Sequence, residues 1–594
     1  MKPRNPAKAL RTKDLGLYAA SFMATVILFQ FFYGLDVLLP TDVSWLMTVR
    51  HDWGTHYLGW LFYRHEPWHW PLGQVRNYYY PIGTNVGFTD SIPLLAIFFK
   101  LFSAILPADF QYFGIWLFSC HLLMAWYTIK LLQLFRINDL YIFFAVLLFV
   151  ANPILVYRGL HPALCAHWLL LGSIYNYFRN PGTDGARRIL RSQGILFALS
   201  TLINPYLCCM VLGFVIILPF KLHYSDKAIG RKAGLAFIGA CLFCLVFFWV
   251  VTGMIGLSKR ENLNVEGAYG LYSLNLNSLY NGVGWSTLFH PLKQVSWHQY
   301  EGFMYLGAGI FLLLLILLFS RLLKFFRRKR PPDADHTAAK TGKARPLIPL
   351  IVLVVCYTLF AITHIVSIED RVLFKVPIPD FLKGLGETFR ASARFFWVPY
   401  YLIFLTAIVG VTRLKMSAAW QRSLLVLALF LQFYDTKHLL TFRHLSYGAY
   451  AVPLNPAWRQ LIGRSGQVIL YPPFQPTYVN QMDYQDFCYL AGQSDKPINT
   501  GYVARADNNA ISAYNDSLLN DLQEARVKNA LYITNAQNLP IFAAFLAERK
   551  LRLHRLDSYF YLSGATDAGG DVAALADSLD ARNIKSIDSA LATV

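Results

Sequence analysis

The sequence predicts an α-helical polytopic membrane protein, with about eleven transmembrane helices and a small C-terminal extracytoplasmic α/β domain. Three observations predict it. Hydrophobic residues make up 55% of the 594 and charged residues only 15%, whereas a soluble domain carries roughly 25% charge. The apolar residues gather in runs long enough to cross hydrocarbon. The net charge of +20, from 54 Lys and Arg against 34 Asp and Glu, is spread between those runs. A nucleic-acid binder would instead cluster its basic residues on one face of a polar domain, so the excess reads as a topology signal.

The first span is expected from about Leu15 to Leu35, after the basic segment containing Lys2, Arg4, Lys8, Arg11 and Lys13. No small-residue cleavage pattern follows, so it reads as an uncleaved helix entering from the cytoplasm. Further spans fall near 110–134, 139–157, 162–178, 190–203, 206–220, 232–256, 303–323, 346–366, 395–412 and 423–440. Their connecting basic residues include Arg136, Arg187, Arg188, Arg191, Lys221, Arg231, the cluster Arg327-Arg328-Lys329-Arg330, and Arg413. All of these share the cytoplasmic side only if Ser192 to Phe220 is a hairpin of two short helices turning at Asn204-Pro205, a turn-forming dipeptide. The N-terminus is then cytoplasmic and the C-terminus outside, as in a bacterial inner membrane protein.

Two apolar stretches are expected to lie along the outer interface. Residues 91 to 107 hold Pro93 and Lys100, and Trp45 to Arg64 spaces Trp45, Val49, Trp53, Tyr57 and Trp60 like an amphipathic helix. From about residue 442 the composition changes. Gln467 to Tyr471 and Ala530 to Thr534 read as strands, 507 to 526 and 539 to 550 as helices, and 551 to 562 as a further strand or hairpin. The expected domains are therefore 1–441 with the first outer loop at 36–109, an external α/β domain at 442–562, and a mobile tail at 563–594. Seven of the eight cysteines sit in apolar runs, so Cys241-Leu242-Phe243-Cys244 is read as packing rather than a metal motif.

Polar chemistry collects in the outer loops. The first contains Asp42 and the stretch His51-Asp52-Trp53-Gly54-Thr55-His56, where Asp52 and His56 stand one helical turn apart and their side chains can meet. A carboxylate beside an imidazole can serve as a general base with its orienting partner. Asp42, and Asp90 in Gly87-Phe88-Thr89-Asp90-Ser91, are alternative carboxylates, and either also suits a helix cap. His161 and His167 are six residues apart and face different ways, so a shared metal is not expected. The loop from Gly270 to Gly302 offers Tyr272, Asn275, Trp285 and Glu301 for hydrogen bonding and stacking on a sugar. Arg390 and Arg394 lie on the non-cytoplasmic side, against the charge rule. At i, i+4 both guanidinium groups could meet one phosphate.

Through His56 to Arg64, Phe88-Thr89-Asp90-Ser91-Ile92-Pro93, His161 to Trp168, Gln299-Tyr300-Glu301-Gly302 and Phe389-Arg390-Ala391-Ser392-Ala393-Arg394, residues 15 to 440 resemble the GT-C superfamily of polytopic glycosyltransferases. The resemblance is closer to an uncharacterised group of bacterial GT-C-like membrane proteins. It implies a polyprenyl-phosphate sugar donor and an extracytoplasmic glycan, lipid or protein acceptor. It also implies inverting transfer with a first-loop carboxylate, Asp42 or Asp52, as base, while Arg390 and Arg394 would stabilise the departing lipid phosphate. No adjacent acidic pair supports a metal requirement, so no cofactor is assigned and a divalent metal is left open. A transporter or flippase for lipid-linked saccharide, or a non-catalytic assembly protein, would reuse the same aromatics and arginines without chemistry.

Overall fold

A computed structural model describes residues 12–49, 52–255, 269–327, 347–442, 450–474, 483–526, 528–548 and 551–564. His51, the basic residues before 12 and at 328–330, and nearly all of the expected tail lie outside the described residues. The chain is mostly helical and divides into two compact units. One comprises Met1–Leu38, Phe113–Phe248 and Val265–Ser446; the other comprises Leu39–Tyr112, Trp249–Asn264 and Tyr447–Val594.

The first unit holds the long apolar helices. Asp14–Tyr33, Phe113–Leu134, Asp139–Leu160, Pro205–Ser225 and Ser392–Thr412 are long and apolar enough to cross a membrane, by length and composition. Shorter apolar helices occupy Ala308–Leu323 and Ile348–Ile362, and Ala418–Thr441 closes the unit. The expected break at Asn204 is present. The helix Ala186–Ile203 stops there because Asn204 is extended, at φ −158° and ψ 132°. The Asn204 side chain then accepts the Tyr206 amide and Pro205 begins the next helix. Gln193 donates to the Val211 carbonyl across the turn at 3.3 Å, so the two helices fold back on each other.

The second unit joins the segment after the first apolar helix, Leu39–Tyr112, to the C-terminal region, which differs from the domain boundary expected at 441. Its sheet has the order Val468–Leu470, Leu531–Thr534, Tyr559–Gly564, Leu551–Leu556. The first pair is parallel and the others antiparallel. Ile469, Tyr532 and Leu562 face a core completed by Leu518 and Leu522 of the helix Asn508–Gln523. Strands lie at the expected places and the helix expected at 507–526 is Asn508–Gln523, but 539–550 holds a 3-10 turn, Leu539–Phe542, and a short helix, Ala543–Ala547. The pattern did not reveal the helix Ala457–Arg464 or the helix Asp483–Gln493.

That extra helix explains a further difference. The stretch from Trp45 to Arg64 is not one amphipathic surface helix. It forms two helices, Ser44–Thr48 and Asp52–His65, and every residue from Trp53 to Arg64 in the second is buried. Its apparently polar face meets protein. Gln485 and Tyr484 bond to Thr55, and Arg64 donates to the Pro107 and Ala108 carbonyls at 2.7 and 2.9 Å. The interfacial helix is likewise shorter than expected, Pro93–Lys100. Lys100 ends it with Nζ 3.9 Å from the ring centre of Tyr63 and 4.8 Å from that of Trp68, a cation held by two aromatic faces.

Candidate functional site

Two clusters carry the predicted residues, one in each unit. In the outer-loop unit, the helix Asp52–His65 presents His56 to a tight turn at residues 89–92. His56 Nδ1 lies 2.9 Å from the Thr89 carbonyl oxygen. A carbonyl only accepts, so Nδ1 carries a proton and donates it to Thr89. The partner of Nδ1 is thus Thr89 rather than the Asp52 carboxylate expected from the i, i+4 spacing. Asp52 begins the helix and is partly exposed.

The turn itself is held under constraint. Asp90 and Ile92 both have left-handed backbones, at φ 54° and 55°, a region that non-glycine residues occupy only when their surroundings impose it. Here the surroundings do so. Ser91 Oγ donates to the His56 carbonyl at 2.8 Å, Thr89 and Ser91 share a 2.8 Å hydroxyl contact, and Tyr112 bonds to the Ser91 carbonyl. Gly59 admits the turn, since a Cβ there would stand 2.3 Å from Thr89 Cβ and 2.6 Å from Ser91 Oγ. The result places an Asp90 oxygen within 4.8 Å of a His56 ring nitrogen. That pair could supply a base with its orienting imidazole, or two ligands to a divalent ion. Asp42 behaves as a cap, accepting the Ser44 amide at 2.8 Å.

In the helical unit the centre is Glu301, on the short 3-10 helix Trp297–Gly302. Arg394 grips it in a fork, and Arg158 Nη1 lies 2.6 Å from Oε2 while its Nη2 donates to the Glu301 backbone carbonyl at 2.8 Å. Glu301 is 2% exposed and Arg158 1%. Burial alone would raise the Glu301 carboxyl, but Arg158 and then Arg394 outweigh it and hold the group well below the usual carboxylate range. Two guanidinium groups against one carboxylate leave an excess positive charge, and Arg158 Nε has no acceptor among the described residues.

This corrects three site expectations. Glu301 is fully engaged with arginines, so it holds the protein together rather than a sugar. Asn275 is buried and saturated: it donates to Gln299 and the Glu369 carbonyl and accepts the Asn277 and Glu369 amides. Arg390 and Arg394 do not share a helix face, because Arg390 lies between helices and Arg394 in the 3-10 helix Ser392–Phe396. Arg394 is taken by Glu301. Arg390 stands 5.7 Å over the Tyr272 ring and is in no ion pair among the described residues.

Around Arg390 is an aromatic surface. Trp297 is 71% exposed and lies parallel to Tyr300, at 5.9 Å and 4°. It also stacks on His298 at 4.0 Å, and Tyr272 meets His298 edge-on at 5.0 Å. Trp285 sits apart, against Phe442 and Tyr157. His161 is the partly exposed residue between two 3-10 turns. His167 is buried with Nδ1 2.6 Å from the Tyr401 hydroxyl and its ring on Trp397. Sequence reasoning missed Arg158 and Trp297. An arginine between apolar spans was a visible signal for the first; nothing in the pattern distinguished Trp297 from an interfacial tryptophan.

The family model described as "Domain of unknown function (DUF6311)" matches residues 22–437, and the one described as "DUF6311 C-terminal domain" matches residues 457–564. No curated protein matches the sequence. Crystal structures of the Archaeoglobus fulgidus oligosaccharyltransferase are similar to the chain. The form tethered with an acceptor peptide gives a TM-score of 0.42 at 10% identity, over 93% of this chain and 74% of that one. The complex with Zn and sulfate gives 0.42 at 12%, over 92% and 73%. Scores below 0.5 mark a loose likeness.

Proposed function

The chain belongs to the DUF6311 family, and we propose that it is a glycosyltransferase of the bacterial inner membrane that takes its sugar from a polyprenyl-phosphate donor. The observation that carries this reading is the excess positive charge around Glu301, with Arg390 in no ion pair among the described residues and beside an exposed aromatic surface. A sugar phosphate has the complementary chemistry. Its ring can stack on Trp297 and His298, and its phosphate can meet the planar guanidinium of Arg390. The buried triad behind keeps that region positive whether or not a ligand is present.

Inverting transfer follows from that arrangement together with the GT-C resemblance. An acceptor hydroxyl attacks the anomeric carbon while the bond to the phosphate oxygen breaks. The lipid phosphate departs as an anion onto Arg390, and the hydroxyl proton passes to a base. Among the first-loop carboxylates, Asp90 is the candidate favoured by its His56 neighbour and its imposed backbone. Asp52 is next, and Asp42 is occupied as a cap. The acceptor is an external glycan, lipid or protein.

The test is release of polyprenyl phosphate from a polyprenyl-phosphate hexose by the purified chain. Release by the wild type and its loss in Arg390→Ala would support the reading. Donor binding without release would point instead to a carrier of lipid-linked saccharide.

A further inference from the structure

We propose that the helical unit holds an anionic phospholipid in a groove along the helix Ala186–Ile203, apart from the sugar chemistry above. The groove encloses about 280 Å³ and is open on one side. It is lined by Tyr127, Trp168, Arg188, Arg191, Ile195 and Leu199, with Ser192 and Leu196 completing it.

The sequence of that helix makes the groove amphipathic end to end. Arg188, Ser192, Ile195 and Leu199 recur at intervals of three and four residues and so form one stripe. At 1.5 Å per residue the stripe runs about 16 Å from arginine to leucine. Arg188 and Arg191 are exposed at the polar end, and neither is in an ion pair among the described residues. Beyond Ser192 the stripe is wholly aliphatic. The opposite wall is aromatic: Tyr127 and Trp168 stack at 6.1 Å and 8°. Gly172 allows that wall to close, because a Cβ there would come within 2.9 Å of Leu196 and 3.0 Å of Tyr127.

Two free guanidinium groups at the head of an apolar channel match a molecule with a phosphate at one end and hydrocarbon at the other. Basic pockets between spanning helices take such headgroups. A free anion would leave the aliphatic half empty, and a zwitterionic lipid would bring a second positive charge against the arginines. The occupant is therefore a phospholipid with net negative charge.

The experiment is native mass spectrometry of the full chain released from detergent, titrated with dioleoylphosphatidylglycerol. Binding at least ten-fold tighter than for dioleoylphosphatidylcholine is expected. Arg188→Gln with Arg191→Gln should remove that preference. Ile195→Trp keeps both arginines but fills the channel, and it should weaken phosphatidylglycerol ten-fold or more. Equal affinity for the two lipids, or phosphatidylglycerol binding that survives Ile195→Trp, overturns the proposal. So does its full displacement by inorganic phosphate, which would mark an anion site without a tail.

Discussion

Arg394 closes on Glu301 through two bonds, Nε to Oε2 at 2.9 Å and Nη2 to Oε1 at 2.5 Å, and this fork fixes one of the two arginines that the sequence offered to a phosphate. Planar pairing of this kind is specific as well as strong. It ties the 3-10 helix bearing Trp297 to the segment that follows Arg390.

Replacing Glu301 by Gln leaves two buried guanidinium groups without their carboxylate. Loss of one partner from a buried ion pair costs about 3–5 kcal/mol. Thermal unfolding in detergent should show Glu301→Gln to be among the most destabilising polar substitutions in the helical unit. Because the two arginines hold its pKa below the usual range, the stabilisation is present above the unfolded carboxylate pKa and is lost only as pH falls through the lower folded value. The wild type should therefore keep this contribution at pH 4.5. A midpoint unchanged by the substitution would show that the triad holds little of the fold.

Arg390→Ala should act on turnover rather than on stability. A hydrogen bond to a charged group contributes about 1.5–3 kcal/mol, so kcat/KM for a polyprenyl-phosphate sugar should fall about 10- to 100-fold. Arg390→Lys, which keeps the charge and loses the planar fork, should fall between. Equal activity in all three proteins would remove Arg390 from the phosphate site.

Gly59→Ala tests the turn at 89–92 from behind. The added methyl would collide with Thr89 and Ser91, and overpacking of this kind costs about 1–3 kcal/mol. Transfer should drop along with the hydrogen-exchange protection of the Ser91 and Ile92 amides. Asp90→Asn should lower transfer about 10²- to 10⁴-fold, leaving that protection in place, whereas Asp42→Asn preserves the cap and should be nearly silent. A silent Asp90→Asn would return the base to Asp52.

Lys100 gives a pH signature of the same sign as Glu301 but in an alkaline window. Burial lowers its pKa from 10.5 to about 8, with Glu66 opposing part of the shift. Between those two values the unfolded chain binds more protons than the folded one, so stability rises with pH across that window. The wild-type unfolding midpoint should climb from pH 8 to 10, and Lys100→Met should abolish the climb. Parallel curves for the two proteins would contradict the buried placement of the ammonium.

The helices were legible because apolar length and charge placement are local properties. Helical segments occupy the expected spans, but 139–157 divides into Asp139–Val150 and Pro153–Tyr157, and among the described residues five helices are long and apolar enough to cross a membrane; the chain turns back at Asn204-Pro205 as its residues predict. The two clusters were legible only as ingredients. His56 and Asp90 were both singled out, but the link between them is the Thr89 carbonyl, a backbone atom with no side-chain signal. Arg394 was read with Arg390 because their spacing suits an α-helix. Its partner Glu301 lies 93 residues away, a separation no periodicity can report. The amphipathic reading of Asp52–His65 failed for a similar reason: polar residues that face Gln485 and Tyr484 look, in sequence, like residues that face water.

That packing also sets an order of events during synthesis. Gln485 reaches Thr55 across 430 positions, and it fills the space left open by Gly54. When the ribosome has delivered the loop after the first apolar helix, the helix Asp483–Gln493 that packs on Thr55 is still untranslated, so that contact forms only after the C-terminal region has been made. A nascent chain halted before residue 457 would display the loop without its cover, open to proteases and chaperones. Synthesis of residues 483–493 is thus the step that covers the helix bearing His56.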